Sequence, residues 1–176
     1  MTQYSKRMVI VHWLTLALLL AAWYLGDSLA DMTDESKASL AGYLIHMAVG
    51  ASVLVLVLSQ LLFRRKDGTP PKINDKPVFQ AAAKGVQHLM YAVLFLLPLS
   101  GIITVFTSTA GKALLAWDAN LLPKEHGYHN VFAHEVHEQL VTVLIVLAIV
   151  HLLGAIKHQF IMKDGLMERM MLRRKG

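Results

Sequence analysis

Histidines are the residues of this sequence with the clearest capacity for chemistry, and their positions are unusual. Of the nine histidines in 176 residues, five lie within or at the ends of long apolar stretches. They are His12, His46, His88, His137 and His151. An ionisable side chain inside an apolar segment costs free energy unless it has a partner, so each is a candidate for a functional site. The competing interpretation is cross-helix packing by hydrogen bonds, and five histidines in one small chain weaken it for the set.

The spacing of His137 and His151 is the most informative feature. On an α-helix, this separation places the second side chain within about 40° of the first and about 21 Å further along the axis. One helix face then presents two imidazoles at two depths, whereas a mononuclear metal site needs ligands three or four residues apart. The spacing favours two stacked haem groups, since imidazole is a common axial ligand of haem iron.

The absence of cysteine limits the chemistry further. It excludes thiolate zinc sites, iron–sulfur clusters, thiol nucleophiles and thioether attachment of haem. Any haem must therefore be held without a covalent bond to the porphyrin, as in b-type cytochromes. Two neutral imidazoles on one iron leave no open coordination position, which favours electron transfer over oxygen binding.

Four apolar segments must position these histidines, at about 8–26, 41–63, 85–107 and 137–160. Each is near the ~20 residues that cross ~30 Å of hydrocarbon. The composition agrees, with 55% hydrophobic and 16% charged residues, against about a quarter charged in soluble domains. The sequence predicts a single domain, 1–176, with an all-α fold: an integral membrane four-helix bundle.

The distribution of charge predicts how these helices are oriented. Lysine and arginine number about 14 in the N-terminus, the 64–84 connection and the tail, against 3 in the other two connections, which places both termini in the cytoplasm. The net charge of +5 comes from these flanking blocks, so we expect no nucleic-acid partner. The first apolar segment is interpreted as a membrane span and not a signal peptide, because cleavage would remove His12.

Depth in the membrane then pairs the histidines. The second span enters from outside, so His46 lies near the outer surface and is expected to meet His137. His12 lies near the inner surface and is expected to meet His151. His88 also lies on the inner side, and this reasoning leaves it open as the inner ligand in place of His12. Otherwise His88 is expected to support a ligand or contact a haem propionate.

Several short motifs accompany these histidines and together resemble a known family. They are His12-Trp13, His46 with Gly50, His88-Leu89-Met90-Tyr91, Leu97-Pro98-Leu99-Ser100-Gly101, and His137-Glu138 with His151 and His158. As a set, over almost the whole chain, they resemble the bacterial cytochrome b561 proteins, within the larger group of four-helix di-haem cytochromes b that includes hydrogenase cytochrome subunits.

The resemblance implies a multi-pass protein of the bacterial inner membrane with two haem b groups. It implies that His12, His46, His137 and His151 are the axial ligands. One type of relative oxidises superoxide on the outer face and passes the electrons to ubiquinone. The family's histidine beyond the inner ligand on helix four matches His158, which is then expected to stand by the quinone head group; the alternative is an interfacial histidine that reaches the lipid head groups.

Two functions from different classes follow. The first is a self-contained superoxide:quinone oxidoreductase, with Lys112 and Lys124 drawing the anion to the outer face; its catalytic residues are not identified. The second is a cytochrome subunit that passes electrons between a partner dehydrogenase or hydrogenase and the quinone pool. A third class, a histidine-lined proton or metal transporter, predicts a colourless protein.

The remaining histidines and the tail are assigned no redox role. His126, His129 and His134 lie in the last external connection, where nothing supplies a closed set of zinc ligands, so we expect solvated side chains. The tail 162–174 alternates apolar and basic residues and is predicted to be an interfacial amphipathic segment.

Overall fold

A computed structural model describes residues 3–30, 40–71, 76–123 and 131–172. In them the chain forms α1 (Lys6–Ala30), α2 (Leu40–Asp67), α3 (Pro77–Thr107), α4 (Thr109–Ala116) and α5 (Phe132–Ile156), with a π-helical turn (Lys157–Met162) continuing α5. All but α4 are long and apolar enough to cross a membrane. The described residues contain no strand. The predicted all-α fold with four membrane-spanning helices is confirmed.

Local sequence signals account for several helix ends. Pro77 occupies the start of α3, where its missing N–H would have no helical partner in any case. The last turn of α2 carries Arg64, Arg65 and Lys66, whose positive charges interact favourably with the negative end of the helix dipole. Ser108 caps α4, since its Oγ accepts a hydrogen bond from the N–H of Ala110 at 3.3 Å. The helix α4 was not predicted from the sequence.

The outer surface of the bundle is apolar. Large side chains such as Val55, Phe106 and Phe160 are exposed on it, together with many other leucines and isoleucines of the long helices. An apolar surface of this extent is unfavourable in water but matches hydrocarbon. The helices also satisfy their backbone hydrogen bonds internally, as a span in lipid must.

The long helices pack as two close pairs, α1 with α2 and α3 with α5, and α2 makes a lesser contact with α3. In the part of the chain that the structure describes, the backbone of α5 packs closely against neither α1 nor α2. A buried cluster on α2, α3 and α5 joins the two pairs; it comprises Val53, Val57, Val93, Leu94, Leu144 and Leu147. Leu144 is midway in sequence between His137 and His151, so this apolar layer separates the two histidine depths.

Buried polar contacts fix α1 against α2. The Nε2 group of Gln60 donates to Thr15 Oγ1 at 2.7 Å, and Thr15 donates to the carbonyl of Val11 at 2.7 Å. At the ends of the same helices, the guanidinium of Arg7 binds the carboxylate of Asp67. Because such bonds form at one register only, they set the depth at which α1 presents its side chains.

The two chain ends meet at one end of the bundle. Tyr4 donates its backbone N–H to the carbonyl of Arg169 at 3.2 Å, and Trp13 donates its indole N–H to the carbonyl of Met170 at 2.8 Å. We call this end the terminal end and the opposite one, which carries α4, the loop end. The chain reverses after α5 through left-handed conformations at Lys163 (φ 52°) and Gly165 (φ 74°). The tail therefore docks against α1 as a turn and a 3₁₀ helix (Met167–Met170).

Candidate functional site

The histidine pair at the terminal end joins α1 to α5. The imidazole centres of His12 and His151 lie 6.3 Å apart, with their planes at 61°. Since the backbones of these helices do not pack closely, the two side chains make the contact between them at this depth. The structure therefore brings together the two residues that the depth argument pairs near the inner surface.

The pair at the loop end joins α2 to α5 in the same way. The ring centres of His46 and His137 also lie 6.3 Å apart, with their planes at 73°. Both α5 histidines thus face a partner from the α1–α2 pair. His137 and His151 lie within one uninterrupted helix, so the two pairs are about 21 Å apart along its axis.

The separation of the rings fits imidazoles that bind one metal ion from opposite sides. Two metal–nitrogen bonds of about 2 Å, with the half-width of each ring, place the ring centres about 6 Å apart. Among the described residues, no group of three or more histidine and acidic side chains is arranged to bind a metal ion alone. An ion held by one of these pairs would need further ligands from another group, and a porphyrin would supply them.

His137 is held by hydrogen bonds from α3. Its Nδ1 atom lies 3.1 Å from the carbonyl oxygen of Leu97 and 3.0 Å from the Oγ of Ser100. A carbonyl oxygen can only accept, so Nδ1 carries the proton and the lone pair is on Nε2. This is the tautomer that a metal ligand needs, with its second nitrogen fixed by the protein.

Glycines allow the close approach of both loop-end histidines. A Cβ atom on Gly101 would lie 3.2 Å from Cε1 of His137, and one on Gly26 would lie 3.1 Å from Cε1 of His46. These distances are shorter than ordinary carbon–carbon contacts of about 3.5–4.0 Å. The rings are therefore packed directly against the backbones of α3 and α1.

The other three histidines of the pairs lack hydrogen bonds of this kind. Nδ1 of His46 is buried and has no hydrogen-bond partner among the described residues, although the backbone of Ala22 interacts with this ring. No hydrogen bond joins the rings of His12 or His151 to the rest of the described chain, and their contacts are aromatic. The four histidines are thus placed alike but supported differently.

His88 stands apart from both pairs. Its side chain is exposed on α3, and it makes no hydrogen bond or ring contact with the residues that the structure describes. The ring that meets His151 belongs to His12. The geometry therefore favours His12 in the position that the sequence left open between the two, and a supporting role for His88 stays a prediction.

His158 lies on the π-helical turn at the terminal end and pairs with the tail. Its Nδ1 atom is 2.6 Å from Oδ2 of Asp164, whose Oδ1 accepts the N–H of Leu166 at 3.1 Å. Burial opposes ionisation of Asp164, but the hydrogen bonds from His158 and Leu166 outweigh it and hold the pKa of this carboxyl below its usual value. His158 was predicted from the sequence as a site residue, whereas Asp164 was not.

The loop end carries the predicted anion-attracting lysines. Lys112 is exposed on α4, while Lys124 lies outside the described residues, as do His126 and His129. His134 is within the described part and has its Nε2 atom 3.3 Å from a carboxylate oxygen of Glu138. The predictions for Lys124, His126 and His129 therefore have no structural counterpart here.

Four membrane-spanning helices with histidines paired between them at two depths define a class of protein, the membrane cytochromes of b type. The sequence model of the prokaryotic cytochrome b561 family matches residues 3–172, and the chain belongs to this family. It is thus a multi-pass protein of the bacterial inner membrane that binds b-type haem and takes part in transmembrane electron transfer.

Individual relatives match over nearly their full lengths. The chain is 28% identical to cytochrome b561 homolog 1 of Escherichia coli, covering 99% of this chain and 100% of the relative. It is 30% identical to cytochrome b562 of Cereibacter sphaeroides, covering 96% and 94%. It is 24% identical to the probable superoxide oxidase CybB of Yersinia pestis, covering 99% and 98%.

Proposed function

We propose that the protein is a superoxide:ubiquinone oxidoreductase that holds one b-type haem at each histidine pair. In this proposal both termini face the cytoplasm, so electrons enter at the loop end outside and leave at the terminal end inside. The observation that carries the proposal is the presence of two histidine pairs, each with ring centres 6.3 Å apart, at two depths of one bundle.

In this proposal His46 and His137 would hold one haem at the loop end, and His12 and His151 would hold the other at the terminal end. Haem held by two imidazoles would supply a one-electron carrier there. The buried cluster around Leu144 lies between the two sites and excludes water from the space between them. The imidazole pairs fix the position and orientation of the redox groups on either side of that layer.

The choice of superoxide as the electron donor is supported by charge and by one relative. The Yersinia pestis relative is described as a probable superoxide oxidase, and superoxide is a small anion that positive potential attracts. In our proposal Lys112, exposed on α4 at the loop end, contributes to that potential. Two superoxide ions each give up one electron and leave as dioxygen, without a proton being needed on this side.

The acceptor side rests on the dyad of His158 and Asp164. A quinone takes two electrons and two protons to become a quinol, so its site needs a group that can deliver protons. The imidazole of His158 is hydrogen-bonded through Nδ1 to the carboxylate of Asp164, and an imidazole can both donate and accept a proton. In our proposal His158 hydrogen-bonds a quinone carbonyl and transfers a proton, and Asp164 orients the ring.

Stopped-flow reduction by a superoxide pulse tests this function on the purified, haem-loaded protein in sealed vesicles. We expect superoxide outside to reduce the cytochrome, and ubiquinone in the membrane to reoxidise it. The Lys112→Gln variant should be reduced more slowly at low salt, with the difference disappearing when ionic strength shortens the screening length below about 8 Å. Lys84→Gln, an exposed lysine on the terminal half of α3, is the matched control.

The same experiment separates the alternative. No reduction by superoxide at any ionic strength, with two haems present, would contradict the proposed donor. Copurification of a soluble redox subunit from gently solubilised membranes would then favour the partner-subunit function. A colourless protein would contradict both.

A further inference from the structure

The loop-end pair contains one ligand that the protein holds by hydrogen bonds and one that it does not. We propose that Ser100 is a positioning residue which, with the carbonyl of Leu97, makes His137 the anchoring ligand of the loop-end haem and leaves His46 the weaker one. This inference rests on the proposed two-haem function and assigns unequal roles within one of its sites.

The hydrogen bonds around His137 form a closed set. The Oγ of Ser100 donates to the carbonyl of Leu97 at 2.8 Å, so its lone pairs are free to accept the Nδ1–H of His137 at 3.0 Å. The same proton is shared with the Leu97 carbonyl at 3.1 Å. Because Ser100 is itself donating, its oxygen becomes a better acceptor. Two acceptors from one turn of α3 therefore fix both the tautomer and the rotation of the His137 ring.

Ser100 differs from the other serines of the long helices. Ser52 and Ser59 each donate to the carbonyl four residues back, at 2.8 Å, and both of these bonds are exposed. Ser100 is 6% exposed, and its bond goes to a carbonyl three residues back, across Pro98, which lacks an N–H and interrupts the helix ladder. Its contact with an imidazole from α5 gives it a role beyond its own helix.

His46 has no equivalent support. Its Nδ1 atom is buried without a well-formed hydrogen bond to any described residue, and its ring is restrained by packing against Gly26 and by the backbone of Ala22. A metal bond at His46 therefore costs the entropy of ordering its ring, whereas the ring of His137 is ordered beforehand. Partners of this kind change metal affinity by roughly 10–100-fold, so the two ligands should differ in how well each retains haem alone.

The test compares His46→Gly with His137→Gly in the full-length, membrane-purified protein. We expect His46→Gly to keep the loop-end haem on His137 and to bind added imidazole, seen as the return of a six-coordinate spectrum. We expect the content of loop-end haem in His137→Gly to be at least about 10-fold lower than in His46→Gly. The terminal-end haem, retained in both variants, shows that the bundle is folded.

Ser100→Ala provides the second arm, with Ser100→Thr as the conservative rescue and Ser59→Ala as the control. We expect Ser100→Ala to speed loss of the loop-end haem about 10-fold and to shift its low-spin electron paramagnetic resonance signal, because that signal depends on ring orientation. Ser100→Thr should restore both, and Ser59→Ala should change neither. A purely structural loss would not move the signal of the haem that remains bound.

Equal haem loss in His46→Gly and His137→Gly, or an unchanged resonance signal in Ser100→Ala, would overturn the inference while leaving the proposed function intact. Wild-type protein with a single haem per chain would contradict the proposed function and the inference together. These outcomes are distinguishable because haem stoichiometry is measured in the wild type before any variant is compared.

Discussion

The two histidine pairs have the same ring separation but are built by different means. At the loop end, His137 is fixed by hydrogen bonds from one turn of α3. At the terminal end, His12 lies beside Trp13, with ring centres 5.6 Å apart, and Trp13 is tied to the tail through the carbonyl of Met170. One site depends on contacts between two long helices, and the other on the two ends of the chain meeting.

This difference predicts that each site can be disturbed without the other. The apolar layer around Leu144 separates them, and energetic effects of distant sites without shared partners are usually additive. Variants at the loop end should therefore leave the terminal-end haem as an internal reference, and the reverse should hold for variants at the terminal end.

Removal of a terminal-end ligand should have the largest effect. We expect His12→Ala and His151→Ala each to lose the same haem, since each leaves one imidazole to hold the iron, and to halve the haem content. His88→Ala should keep both. Pyridine haemochrome with protein quantitation measures this; loss of the terminal-end haem in His88→Ala but not in His12→Ala would show that helix α3 supplies the ligand.

Filling the contact at Gly101 should weaken only the loop-end site. The added methyl of Gly101→Ala would lie 3.2 Å from the His137 ring and force that ring from its hydrogen bonds. We expect partial loss of the loop-end haem, read from the optical difference spectrum. Gly85→Ala, where a Cβ meets nothing within 4 Å, is the control and should gain up to about 1 kcal/mol of helix stability.

Removing the indole bond of Trp13 should affect only the terminal end. Trp13→Phe keeps the aromatic contact with His12 but loses the hydrogen bond to the tail, which is worth about 1 kcal/mol. We expect the terminal-end haem to be lost about 5-fold faster, measured by haem transfer to an acceptor protein. Trp23→Phe, an exposed tryptophan of the same helix, should behave like wild type.

The smallest effect should be on the dependence of thermal stability on acidic pH. The hydrogen bonds to Asp164 hold its pKa below the usual value, so the carboxylate stabilises the docked tail above about pH 4 and loses this contribution as pH falls further. We expect Asp164→Asn to lower thermal stability slightly at pH 7. Below pH 4, the variant should lose less thermal stability with falling pH than wild type does. An unchanged acid limb in the variant would show that the dyad does not hold the tail.

Much of the fold followed from the sequence because its signals are local. A run of about 20 apolar residues specifies a membrane helix, and depth follows from position along such a run. That was enough to predict the four spans and to pair His46 with His137. The α4 helix was missed, since it is only eight residues long and its Ser108 cap resembles many turns.

The sequence could not choose between His12 and His88, because both lie at the same depth and depth says nothing about direction around a helix axis. His12 is turned toward His151 only by helix packing. In that packing α3 lies on α5, and α1 lies on α2, where the bond of Gln60 to Thr15 fixes it.

The Leu97 carbonyl is a backbone group of a kind present at every residue, and so carries no sequence signal as a partner of His137. Asp164 reaches His158 only because the chain reverses through Lys163 and Gly165. The amino-acid sequence by itself determined the spans and the depth of each histidine, whereas the rotation of each helix and the reversal of the tail were decided by tertiary structure, since both depend on contacts between distant segments.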